Sequence, residues 1–223
     1  QCLPSFCSSW GDRFSIKLHH LAGLWGVDLI GGDTSKGPLA AHVTVIGEID
    51  QGCGLSRSGA VAGDRLWLLG RDLGGARAYL EVLEDRAPEH ALWAERYWRP
   101  EPMLDAGRAL VGAAHAVIDV SDGLCQDLGH MLQAAASPLR ISLDSAAVPL
   151  AAGLVTQFEE HQALEFALTG GDDYCLLAAI PPDAPVPEGA VCLGTFEAAK
   201  QAEILLDDEP LPADWVLGWD HSR

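Results

Sequence analysis

The chain has 223 residues, 48% of them hydrophobic and 21% charged, with a formal net charge of −18 at pH 7. That size buries a core in one large or two small domains, and that acidity excludes the basic footprint nucleic-acid binding needs. No run of about 18 or more apolar residues occurs, so nothing reads as a membrane span, and no signal-peptide pattern is visible.

Taken in chain order, Phe14, Leu18, Leu21 and Trp25 form one helical stripe that Gly26 closes. Residues 28–30 and 39–49 read as strands around the loop Gly31-Gly32-Asp33-Thr34-Ser35-Lys36-Gly37-Pro38. Its two leading glycines let backbone approach a ligand closely, with Asp33 at a strand end. Residues 51–63 are rich in Gly and Ser and read as the join between two parts. A buried strand at 64–69 follows, then helices at 74–83, 87–99 and 104–114, the middle one ended by Pro100-Glu101-Pro102.

The segment Val117-Ile118-Asp119-Val120-Ser121-Asp122-Gly123-Leu124 reads as a strand feeding a helix. Leu124, Leu128, Met131, Leu132 and Ala135 recur at helical spacing after it. Extended backbone puts Asp119 and Ser121 on one face. The helix start offers free N–H groups and a positive dipole end. Carboxylates for a hard cation beside donors for a phosphate suit a magnesium–nucleotide site. A plain helix cap by Ser121 or Asp122 is the alternative.

Further on come a strand at 139–143, a helix at 154–161, and strands at 174–180, 190–195 and 203–206. A third acidic turn, Thr169-Gly170-Gly171-Asp172-Asp173-Tyr174, leads into the first of these last three strands. One Gly-Gly-Asp is ordinary turn chemistry, but three acidic glycine turns at the ends of separate strands point to a ligand. Helices mixed with long strands fit α+β rather than a repeating βαβ array. Cys2, Cys7, Cys53, Cys125, Cys175 and Cys192 form no C-x-x-C pair and read as reduced thiols in a reducing compartment, the cytoplasm. The eight histidines show no paired metal spacing, and none has an evident nucleophile to serve.

GGDTSKGP, SRSGAVAGD, RPEP, DVSDGLCQDLGHML, LTGGDDY and a terminal GWDH follow one another in that order. On these motifs the chain resembles the thiamine-monophosphate kinases of the PurM-like (aminoimidazole ribonucleotide synthetase-like) superfamily, from about Phe14 onward. The resemblance implies a two-domain α+β fold, each domain a mixed sheet flanked by helices, with the N-terminal sheets of two subunits pairing into a homodimer. Residues 1–55 would be the remnant of the N-terminal domain, and 56–223 the C-terminal domain. It implies phosphorylation of thiamine phosphate by ATP with magnesium, and no partnership with nucleic acid or membrane. Gly32, Asp33, Arg57 and Ser121 match ATP contacts. Asp33, Asp119 and Asp122 match magnesium ligands, and Asp172 and Trp219 match positions against the thiamine substrate.

Direct in-line transfer to an acceptor that is already an anionic phosphate needs no side-chain general base, so positioning and charge neutralisation carry it. There are departures. The family carries an N-terminal Gly-Asp-Asp motif and further magnesium-holding aspartates that these 223 residues do not contain, so impaired turnover is expected of this chain alone. Asp172 stands where the family usually has glutamate, and Leu73-Gly74-Gly75-Ala76-Arg77 lacks the usual acidic residue. Two other readings share these residues: another PurM-like ATP-dependent enzyme, and a folded or dimerising remnant without turnover.

Overall fold

The computed structural model describes residues 6–35, 37–83 and 91–218, with side chains from Trp10 onward. The chain divides into two compact units, Gln1–Gly47 and Glu48–Arg223.

In the first unit, helix α1 spans Phe6–Leu24. Gly26 adopts φ 65° just beyond it, and the Val27 N–H returns to the Ala22 carbonyl at 2.8 Å, which is the glycine stop the stripe predicts. Residues 28–30 and 39–49, expected as strands, are irregular instead. Their apolar side chains stay in water: Val43 is 65% exposed, and Val45 and Ile46 are each 77% exposed. A strand exists only as one half of a ladder. Composition alone therefore cannot make one where no described residue pairs with it.

The second unit is built on a seven-stranded mixed sheet in the order β2-β4-β1-β5-β3-β6-β7. Its strands are β1 (Arg65–Leu69), β2 (Ala116–Asp119), β3 (Leu139–Leu143), β4 (Leu176–Ile180), β5 (Val191–Ala198), β6 (Glu203–Leu206) and β7 (Glu209–Pro210). Only β3 and β6 run parallel; the other pairs are antiparallel. This is the expected α+β class. Helix α5 (Leu124–Ala134) lays Leu124, Leu128, Met131 and Leu132 into one apolar cluster with Leu66, Leu68, Leu177 and Phe196. Each such side chain, fully buried, contributes about 1.5–3 kcal/mol.

A second cluster joins α2 (Gly75–Glu81), α3 (Ala91–Trp98), α6 (Leu154–Gln157) and α7 (Glu160–Thr169) through Ala78, Trp93, Leu154 and Phe166. The single helix expected at 154–161 is thus two. Phe158 is extended, with φ −124° and ψ 157°, and its ring lies 5.9 Å from Trp93 and 5.0 Å from Phe166. Seating that ring interrupts the helix. Helix α4 (Leu104–Leu110) stops short of the expected residue 114, with Gly112 at φ 77° just beyond its end. No helix among the described residues is long and apolar enough to cross a membrane. The four described thiols, Cys53, Cys125, Cys175 and Cys192, are free.

Candidate functional site

The antiparallel pairing of β2 with β4 sets Asp119 opposite Leu176. The turn leaving β2 and the loop entering β4 therefore meet at one end of the sheet. They are bonded backbone to backbone: the Asp172 N–H donates to the Ser121 carbonyl at 3.0 Å and the Tyr174 N–H to the Val120 carbonyl at 2.8 Å. The Val117 N–H donates to the Ser56 carbonyl at 2.8 Å, which brings the SRSG segment alongside β2. Three motifs far apart in sequence converge in this way.

Arg57, Asp119, Ser121 and Asp122 line one open depression of about 490 Å³, together with Asp127 and His130 from α5. Ser121 and Asp122 do not cap α5. Gly123 holds the cap position, with no side-chain bond to the helix. Nor are the turn's N–H groups free for a phosphate, as the sequence suggested. The N–H groups of Ser121, Asp122 and Gly123 donate to one oxygen of Asp127, at 2.9, 3.0 and 3.2 Å. Asp127 is only 2% exposed. Its burial raises its pKa, and the three N–H donors pull the other way by stabilising the anion.

Asp122, Asp127 and His130 each offer a ligand atom within 4.8 Å of the others. Asp127 and His130 escaped the reading of the sequence, although their i, i+3 spacing puts them on one helix face. Magnesium needs only one or two carboxylates and keeps waters and phosphates for its remaining positions. The carboxylates of Asp119 and Asp122 at the depression fit that demand.

The GGDDY loop is strained. Asp172 has φ 64° and Tyr174 φ 51°, a region that side chains bearing a Cβ seldom occupy. The Tyr174 hydroxyl donates to the Asp172 carboxylate at 2.9 Å. Burial, and then that bond, push the Tyr174 phenol up to about 12, so it stays protonated and keeps donating. Asp173, a further residue that sequence reasoning passed over, accepts the Gly74 N–H on both oxygens, at 3.3 and 3.1 Å. Burial pushes its carboxyl up to about 8.

A carboxyl raised on folding binds more protons folded than unfolded between the two values. Its contribution is favourable below its ordinary value of 3.8 and is lost as pH climbs from there to about 8. Asp173→Asn keeps an acceptor for Gly74 and removes this loss, which reaches about 1.4 kcal/mol per pH unit. Denaturant unfolding of the variant should therefore show a flatter stability profile between about pH 4 and pH 8. An unchanged profile would contradict the assignment.

Gly32 and Asp33 lie in the Gln1–Gly47 unit, exposed, with the Ser35 hydroxyl donating to Asp33 at 3.5 Å. Trp219 lies outside the described residues.

No family model matches the chain. Among curated proteins, it is 36% identical over 238 residues to thiamine-monophosphate kinase of Haemophilus influenzae, covering 99% of this chain and 71% of that relative. The Escherichia coli K12 enzyme of the same name is 35% identical over 98% of this chain and 71% of its own length. The chain belongs to the thiamine-monophosphate kinase family. Solved structures agree. Thiamine monophosphate kinase from Aquifex aeolicus superposes with a TM-score of 0.74 at 26% identity, over 92% of this chain and 70% of that one. A structure of AaThiL complexed with AMPPCP and TMP superposes with a TM-score of 0.76 at 26% identity, over 96% and 68%. For this thiamine-monophosphate kinase family member, the α+β expectation holds.

Proposed function

We propose that this protein transfers the terminal phosphoryl group of ATP to thiamine phosphate, with magnesium, giving thiamine diphosphate and ADP. The observation that carries the reading is the shared depression. A carboxylate pair, Asp119 and Asp122, a hydroxyl, Ser121, and a guanidinium, Arg57, face one space beside a loop bonded to the same turn. Family membership and the similarity to a complex with AMPPCP and TMP support it.

Asp119 and Asp122 would hold the metal. When bound, magnesium neutralises phosphate oxygens and lets two polyanions approach. Arg57 presents a fixed positive fork to the nucleotide, and the Ser121 hydroxyl a neutral contact. The acceptor phosphate is anionic at neutral pH, so no side chain needs to take a proton from it. Trp219 stacks on the cationic ring system of thiamine, and Asp172, held by Tyr174, accepts from the same moiety. The free thiols accord with a cytoplasmic enzyme.

The test is ADP release across a panel of acceptors, each titrated separately against ATP. Thiamine phosphate should be the acceptor that drives magnesium-dependent release. Trp219→Ala should raise the KM for thiamine phosphate by roughly 5- to 30-fold, the loss of about 1–2 kcal/mol of cation–π contact, and leave the KM for ATP unchanged. Release driven by another acceptor would contradict the reading, and equal effects on both ligands would sink the Trp219 assignment.

A further inference from the structure

The carboxy-terminal tail reaches the Ser121–Gly123 turn by a contact that only glycine permits. Trp215 anchors the tail: it is 6% exposed, packs in the main apolar cluster, and lies 5.4 Å from the His161 ring. Three residues later Gly218 turns sharply, with φ 83° and its N–H donating to the Val216 carbonyl at 2.9 Å. A Cβ on Gly218 would lie 2.6 Å from the Asp122 carbonyl oxygen and 2.4 Å from Gln126 Oε1. Gln126 in turn donates from Nε2 to the Asp122 carboxylate at 3.4 Å. The tail therefore rests on Asp122 twice, through its main chain and through the amide that steadies its side chain.

The other side of the turn is closed just as tightly. A Cβ on Gly171 would lie 2.4 Å from the Ser121 carbonyl oxygen. One on Gly123, at φ 129°, would lie 2.6 Å from the Thr169 carbonyl oxygen and 3.2 Å from the Gly218 Cα. Backbone is thus packed on backbone from both sides, with the Gln126 side chain also pressed against Gly218. A displacement of either strap moves the turn.

We infer that Gly218 is a positioning residue that clasps the tail to the Ser121–Gly123 turn, so that the nucleotide and acceptor halves of the site are set together. The inference rests on the function proposed above. Its consequence is a binding coupling. Thiamine phosphate, held by the GGDDY loop, should tighten magnesium·AMPPCP on the turn, and by linkage the reverse holds to the same factor.

The experiment is calorimetric titration of the purified protein with magnesium·AMPPCP, with and without saturating thiamine phosphate. The wild-type protein should bind both ligands, each tightening the other by about 5-fold or more. Gly218→Ala should weaken magnesium·AMPPCP even without acceptor and bring the mutual effect to about 1. Gln126→Ala leaves the backbone fit intact and should reduce the coupling in the same direction, which keeps the inference testable if Gly218→Ala does not fold. Val216→Ala, on a side chain 65% exposed in the same tail, should behave as wild type. Coupling retained in both Gly218→Ala and Gln126→Ala, or loss of thiamine phosphate binding alone, overturns the clasp. A wild-type protein that binds neither ligand overturns the functional reading, and the inference with it.

Discussion

Asp122→Asn should lower turnover by about 100-fold or more while leaving the folded state nearly as stable as before. The substitution keeps the shape of the side chain and removes its charge at the depression, where phosphate charge must be neutralised during transfer. The turn's main-chain bonds to Asp127 do not use that charge. The helix cap is Gly123, and the main-chain N–H of residue 122 still donates to Asp127. Asp119→Asn should behave likewise, since Asp119 sits exposed at the end of β2. Initial rates at several magnesium concentrations, beside thermal unfolding, separate the two effects. Near-normal turnover with normal magnesium dependence in both variants would reduce these residues to turn formers.

Asp127→Ala should cost more in stability than any other single change at the site. Three N–H groups lose their common acceptor. An orphaned buried donor costs about 1–3 kcal/mol, so a total of roughly 3–5 kcal/mol is expected once water recovers part of the loss. In a domain of this size that corresponds to a fall of about 10 °C in Tm. Turnover should collapse as well, because the turn presenting Ser121 and Asp122 loses its internal strut. Asp127→Asn keeps one oxygen to accept and should lose less on both counts. Denaturant and thermal unfolding of the two variants check the order. An Asp127→Ala protein as stable as the wild type would mean that the turn is held by its glycine contacts alone.

What the sequence revealed tracks how local each signal is. The strands at Leu139–Leu143 and Glu203–Leu206 were legible to the residue, because alternation and flanking turns define them without reference to anything distant. The strand-to-helix passage through Asp119–Leu124 was legible for the same reason, whereas Asp127 and His130 in the same depression were not. Residues 39–49 carry the composition of a strand, but pairing is a long-range event that composition does not encode. The break at Phe158 follows from where Trp93 and Phe166 sit, which a helical period cannot report. In sequence Asp127 is one more helix carboxylate. Its role appears only when the chain folds back on it, and the i, i+3 pairing with His130 was the one local hint. The glycines tell the same story. Gly171 and Gly218 look like turn formers in sequence, and only the fold reveals them as contact points.

The central claim is that the Ser121–Gly123 turn seats the metal–nucleotide complex. Replacing magnesium with paramagnetic manganese tests it most directly, by amide NMR of the labelled protein with AMPPCP. Resonances of Ser121, Asp122, Gly123 and Asp172 should broaden on adding manganese, and only with nucleotide present should the effect be strong. Those of Leu205 and Glu209, on β6 and β7 at the opposite edge of the sheet from β2, should stay sharp. Broadening centred elsewhere, or none at the turn, would contradict the account.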